Sequence, residues 1–245
     1  MPLRIGCDLD GVLADMDAGL LREAEALFGK GVARRLEESA EAPPPDVEPD
    51  DAAASRPESI PPPVRLQITS RQERRLWRHI ETVENFWEGL AEIEPGVVKK
   101  LASLAAERRW EIIFLTKRPE SAGATAQVQT QRWLQSKGFT LPSVFVVQGS
   151  RGRIASALHL DAVIDDRSEN CLDVVMDSKR ARAFLVWRDD PAKLPAAAQR
   201  LGIGVVKTVI QCLDILTQLD GPDKDEPGVM ARVKKLLGLG ESASV

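Results

Sequence analysis

The chain has 245 residues, 43% of them hydrophobic and 29% charged, with a formal net charge of −4. That is enough apolar material for one large domain, or for a domain with a small insert, and the acidic balance supplies no global attraction for nucleic acid or an anionic membrane surface. No stretch reaches the roughly 18 uninterrupted apolar residues of a membrane span, and charge interrupts MPLRIGCDLD too early for a secretory leader.

Leu3 to Leu9 reads as a first strand, ending on Asp8 and Asp10 with Gly11 directly after. Strand ends seldom bury carboxylates without partners or a metal, because an unpaired buried charge is costly. A helix follows, with Leu20, Leu21, Ala24, Leu27 and Phe28 on one face, Asp15 placed to cap it and Gly29 to stop it. From 37 to 64 proline and acidic residues dominate, which predicts a disordered or extended loop. Helical spacing returns with Leu76, Ile80, Val83 and Trp87, and a further helix starts near Pro95-Gly96.

The remainder alternates. WEIIFL (Trp110 to Leu115), SVFVV (Ser143 to Val147), DAVI (Asp161 to Ile164) and AFLVW (Ala183 to Trp187) read as strands. Helical segments separate them: one ending at Gly138, one around Ile154 to Leu158 and one over Leu172 to Met176. Val205 to Thr208 reads as an edge strand and 227–239 as a terminal amphipathic helix. Short apolar runs separated by helices imply parallel strands covered on both faces. The predicted fold is therefore α/β, a Rossmann-like doubly wound parallel sheet. Residues 1–14 and 95–245 form the core, and 15–94 form a small helical cap inserted between strands 1 and 2. Cys7, Cys171 and Cys212 have no C-x-x-C spacing and read as reduced thiols of a cytoplasmic protein. His79 and His159, the only histidines, read as surface residues.

Open parallel sheets bind ligands at the carboxyl ends of their strands. The first strand delivers Asp8 and Asp10 there, and the second Thr116, Lys117 and Arg118. The segment after SVFVV delivers Arg151 and Arg153, and DAVI delivers Asp165, Asp166 and Arg167. Acids, a hydroxyl and cations thus converge on one sheet edge. Asp8 and Asp10 are two apart, so on an extended chain both point to the same side: one can attack while the other handles protons.

DLDGVLAD, FLTKRP, an arginine-bearing helix start and IDDR, in that order, resemble the four motifs of the haloacid dehalogenase superfamily of phosphohydrolases. NFWEGLAEIEPGVVKKL and IDDRSEN resemble most its 5'(3')-deoxyribonucleotidase branch. The resemblance spans Leu3 to about Trp187 and leaves out the proline-rich stretch and the tail. It implies that Asp8 is a covalent nucleophile toward phosphorus and that Asp10 protonates the leaving alcohol and then activates water. It implies Mg2+ held by Asp8, the Asp10 carbonyl and Asp166, with Asp165 through water. Thr116 would bond a phosphoryl oxygen, Gly11 would turn the chain beside the substrate and Lys117 would contact it. Relatives carry lysine as the next cation, whereas GSRGR offers only arginines; spacing to Asp165 favours Arg153, with Arg151 close behind. Phe86 and Trp87 read either as core or as a base-stacking lid. The implied activity is Mg2+-dependent hydrolysis of a phosphate monoester, with nucleoside monophosphates leading. Alternatives are another small phosphate ester such as a sugar phosphate, a polynucleotide 3'-phosphate, or non-catalytic nucleotide binding; the acidic balance argues against a nucleic-acid partner.

Overall fold

The computed structural model describes residues 2–30, 66 and 68–220. The proline-rich stretch 37–64 and the tail helix expected over 227–239 lie outside the described residues. Among the described residues six strands form the sheet: β1 (Arg4–Asp8), β2 (Glu111–Thr116), β3 (Ser143–Val146), β4 (Ala162–Asp165), β5 (Arg182–Val186) and β6 (Gly204–Val206). All five pairings are parallel, in the order β3-β2-β1-β4-β5-β6. The fold is the expected doubly wound, Rossmann-like α/β arrangement. From β1 the chain steps outward through β2 to β3, then returns to the other side of β1 for β4, β5 and β6. The reversal opens a crevice beyond the carboxyl ends of β1 and β4, where such sheets bind ligands.

Alternate strand residues face opposite sides of a sheet, and both sides here are covered. Ile5, Cys7, Phe114 and Ile164 belong to one buried cluster, while Leu115, Val163 and Leu185 belong to the other. Between β1 and β2 come α1 (Met16–Phe28), α2 (Ser70–Ile80), a 3-10 turn (Phe86–Gly89) and α3 (Val97–Arg108). Leu20, Leu76, Ile80, Phe86 and Trp87 of this segment join the same cluster as Ile5 and Phe114. The later helices are α4 (Ala126–Ser136), α5 (Arg151–Ala157), α6 (Ser168–Asp177), α7 (Ala196–Arg200) and α8 (Val209–Leu219).

Local chemistry sets the boundaries. The Asp15 carboxylate accepts from Ala18 N at 2.9 Å and caps α1, which stops at Gly29 with φ 91°. Thr69 and Gln72 form a reciprocal capping box at the start of α2. The spacing Leu76, Ile80, Val83, Trp87 is not one helix. Asn85 is left-handed at φ 50°, breaks the run, and starts the 3-10 turn instead. The apolar spacing of Val209, Cys212, Leu213 and Leu216 belongs to α8, an element the sequence reading passed over. The three cysteines are buried and free, and burial raises their thiol pKa values. Among the described residues no helix is long and apolar enough to cross a membrane.

Candidate active site

Asp8 ends β1 and Asp165 ends β4. The register places each one residue beyond the Cys7–Ile164 pair, so the two carboxylates sit side by side at the switch point. They are 8% and 0% exposed. Burial raises the Asp8 carboxyl well above its ordinary range, the Asp165 charge adds to that, and Arg151 opposes it. Burial likewise raises Asp165, against the lowering effects of Arg151, Asn170 and the Arg167 N–H.

Arg151, itself 2% exposed, joins the two acids. Its Nη2 donates to Asp8 Oδ1 at 2.6 Å and to the Leu115 carbonyl at 3.3 Å, and its Nε donates to Asp165 Oδ2 at 3.4 Å. Asp165 also accepts from Arg167 N at 2.9 Å and from Asn170 Nδ2 at 3.0 Å. Burial works against the charge on Arg151, but Asp8 and Asp165 outweigh it and raise its pKa. Arg151 Nη1 is buried and has no hydrogen-bond partner among the described residues. Buried donors are nearly always satisfied, so this N–H marks where an acceptor belongs.

The expectation that Arg153 supplies this cation is not met. Ser150 caps α5, accepting from Arg153 N at 3.4 Å. Gly152 packs so closely on α6 that a Cβ there would collide with the Asp173 carbonyl. That contact fixes the rotation of α5. With about 3.6 residues per turn, residues two apart point to nearly opposite sides, so Arg151 faces the acids and Arg153 is exposed.

Beyond β1 a tight turn forms, in which the Leu9 carbonyl accepts from both Leu13 N and Ala14 N at 2.8 Å. Gly11 holds φ 82°, and a Cβ on it would collide with the Asp166 carboxylate; only glycine lets that acid close over the turn. Arg188 fixes the turn from outside, donating to the carbonyls of Gly11 (2.6 Å) and Val12 (3.2 Å) and to Glu94 Oε1 (2.7 Å). Asp8, Asp165 and Asp166 each offer a carboxylate oxygen, all within 4.8 Å of one another. This hard-oxygen set suits a divalent cation such as Mg2+. Asp10 lies outside that set: Thr116 Oγ1 donates to its carboxylate at 3.2 Å, and Arg118 grips both of its oxygens. Arg118 was visible in TKRP but carried no signal of this partnership.

The cleft at these groups has a volume of about 410 Å³ and is lined by Asp8, Asp10, Gly11, Thr116, Lys117, Arg151 and Asp166, and also by the apolar Met16, Trp187 and Pro195. Phe86 and Trp87 do not reach it. They are 2% and 0% exposed, packed edge to face at 4.8 Å. Trp87 Nε1 donates to the Pro119 carbonyl at 3.0 Å and its backbone N to Gln129 Oε1 at 3.1 Å. The lid alternative for this pair is therefore replaced by the core one. Among the described residues, the aromatic side chain that lines the cleft is Trp187, just past the end of β5, where the strand-end rule could have found it.

No family profile and no curated protein sequence matches the chain. Among solved structures, a hydrolase from Pseudomonas syringae is similar at 17% identity, with a TM-score of 0.49 over 89% of this chain and 99% of that one. A HAD family hydrolase from Deinococcus radiodurans R1, solved with bound phosphate and sodium, is similar at 16% identity and a TM-score of 0.49, over 90% of this chain and 97% of that one. A haloacid dehalogenase-like hydrolase from Streptococcus pneumoniae has 11% identity and a TM-score of 0.49, over 88% and 98% respectively.

Proposed function

We propose that the chain is a Mg2+-dependent phosphate monoester hydrolase of the haloacid dehalogenase superfamily, acting through an aspartyl phosphate on Asp8. One observation carries this reading: at the sheet's switch point, buried Asp8 is bonded to a buried arginine whose remaining N–H, Arg151 Nη1, has no partner among the described residues. A nucleophilic carboxylate beside a preorganised donor is what phosphoryl transfer requires.

An Asp8 oxygen attacks phosphorus and the ester P–O bond breaks. Asp10 gives its proton to the departing alkoxide, so an alcohol leaves and Asp8 carries an acyl phosphate. Asp10 then takes a proton from water, the water oxygen attacks phosphorus, and phosphate leaves with Asp8 restored. Arg151 offsets charge on the phosphoryl oxygens. Lys117, Thr116 and Gly11 line the same space, and glycine at position 11 lets the Asp166 carboxylate close over the turn. Asp8 and Asp166 would hold Mg2+, joined by the Asp10 carbonyl and, through water, by Asp165, as the resemblance implies. When bound, the ion neutralises phosphoryl charge as a Lewis acid.

The segment 15–94 serves in this reading as the cap, in a cytoplasmic enzyme. Nucleoside monophosphates remain the leading substrates on the strength of NFWEGLAEIEPGVVKKL and IDDRSEN. Burial of Phe86 and Trp87 removes the base-stacking lid from that argument and favours, as a second reading, another small phosphate ester. A panel of p-nitrophenyl phosphate, nucleoside monophosphates and sugar phosphates, assayed with Mg2+ and again with excess chelator, tests both readings. The expected result is turnover that chelation abolishes and Mg2+ restores. Full turnover in chelator contradicts the metal requirement, and no turnover of any ester contradicts the activity.

A further inference from the structure

We infer that Arg118 is a positioning residue that holds the Asp10 carboxylate in place for proton transfer, and that Trp87 acts on the reaction through it. This rests on the phosphohydrolase reading above. The Asp10 side chain stands on the turn after β1 and is 11% exposed, whereas that of Arg118 is fully covered. The Arg118 fork takes both carboxylate oxygens: Nη2 reaches Oδ1 at 2.7 Å, and Nε reaches Oδ2 at 2.9 Å and Oδ1 at 3.1 Å. Nη1, the third nitrogen, donates to Thr130 Oγ1 at 2.9 Å, and the Thr130 hydroxyl is committed in turn to the Ala126 carbonyl at 2.7 Å.

Two indoles flank this guanidinium, with the Trp87 ring 4.9 Å and the Trp133 ring 5.9 Å from its central carbon. An arginine over a tryptophan face is attracted to it, more strongly when desolvated. Trp87 is pinned through its Nε1 to Pro119 and belongs to the segment between β1 and β2. Its packing therefore sets where Arg118 lies, and Arg118 sets where Asp10 lies. A bidentate fork defines an orientation that the point charge of a lysine cannot reproduce, and proton transfer requires the carboxylate within hydrogen-bond reach of the leaving oxygen.

The leaving group tells positioning from mere folding. An alkoxide needs Asp10's proton to depart, whereas p-nitrophenolate leaves without it. The experiment compares kcat/KM, which reports the step that forms the Asp8 acyl phosphate, for glycerol 2-phosphate and p-nitrophenyl phosphate with Mg2+, in wild type, Arg118→Lys, Asp10→Asn and the double variant. Since positioned proton transfer contributes about 10²–10⁴-fold, Arg118→Lys is expected to lose at least about tenfold more on the alkyl ester than on the aryl one. Asp10→Asn should show the same split, and the double variant no further loss. Equal losses on both esters, or faster turnover of the alkyl ester, would overturn the inference. Thr130→Val, which removes the acceptor of Nη1 and the hydroxyl's own bond to the Ala126 carbonyl but leaves the fork on Asp10, should show a smaller split in the same direction if Arg118→Lys does not fold; no split there overturns it equally. Melting temperatures of the same four proteins give an answer independent of turnover. Sub-additive losses are expected for two groups that hold each other, and additive losses would contradict the contact. Absence of turnover in the wild type alone would instead count against the phosphohydrolase reading.

Discussion

Arg151 and Arg153 show how narrowly a single side chain decides this site. Both lie in GSRGR at the start of α5, and the sequence spacing to Asp165 favours the second. Contact of Gly152 with the Asp173 carbonyl turns the first toward Asp8 and leaves the second exposed. Removing a preorganised oxyanion donor costs about 10²–10³ in kcat. Arg151→Ala should lose about that much on p-nitrophenyl phosphate, while Arg153→Ala should stay within about twofold by the same comparison. A larger loss for Arg153→Ala would mean the wrong arginine has been assigned. The acids were legible because each ends an apolar strand, and the strand-end rule needs only local pattern. The helix phase of Arg151 was not, since it depends on a contact between α5 and α6. Nor was the Arg118 fork, which depends on Trp87 and Trp133 meeting over one guanidinium.

At the scale of elements, the clearest correction concerns the stretch from Leu76 to Trp87. The apolar spacing promised one continuous helix, and the left-handed Asn85 divides it. Asn85 Oδ1 accepts from Ala124 N at 3.0 Å, and Asn85 N donates to the Ala122 carbonyl at 2.8 Å, tying the break to the loop before α4. The 3-10 turn then drives Phe86 and Trp87 into the core. Truncating a buried tryptophan costs about 3–5 kcal/mol, and each kcal/mol is about 2–4 °C in a domain of this size. Trp87→Ala should therefore lower Tm by roughly 10 °C and reduce kcat/KM for a nucleoside monophosphate and for glycerol 2-phosphate by the same factor. A selective loss on the nucleotide, about tenfold or more, would place the ring against a base after all.

For the whole molecule, the alternation of short apolar strands with helices was enough to read a doubly wound parallel sheet. The strand order was not readable, because register and neighbours are settled by packing on both faces and not by any one strand. The order nevertheless explains the site. The chain reverses between β1 and β4, and the two strands that flank the reversal are those ending in Asp8 and Asp165. Helix α8 is the opposite case: its periodicity is plain in Val209, Cys212, Leu213 and Leu216, all buried, and its first N–H groups donate to Glu94. The described part of the segment between β1 and β2 shares the main apolar cluster through Leu20, Leu76, Ile80, Phe86 and Trp87. Whether Asp8 is the nucleophile is decided by the initial rate of Mg2+-dependent p-nitrophenyl phosphate hydrolysis by Asp8→Asn, beside wild type of matched circular dichroism. The rate should fall below about a hundredth of wild type, since loss of a nucleophile costs far more than that; a folded Asp8→Asn protein that keeps more would show that Asp8 is not the nucleophile.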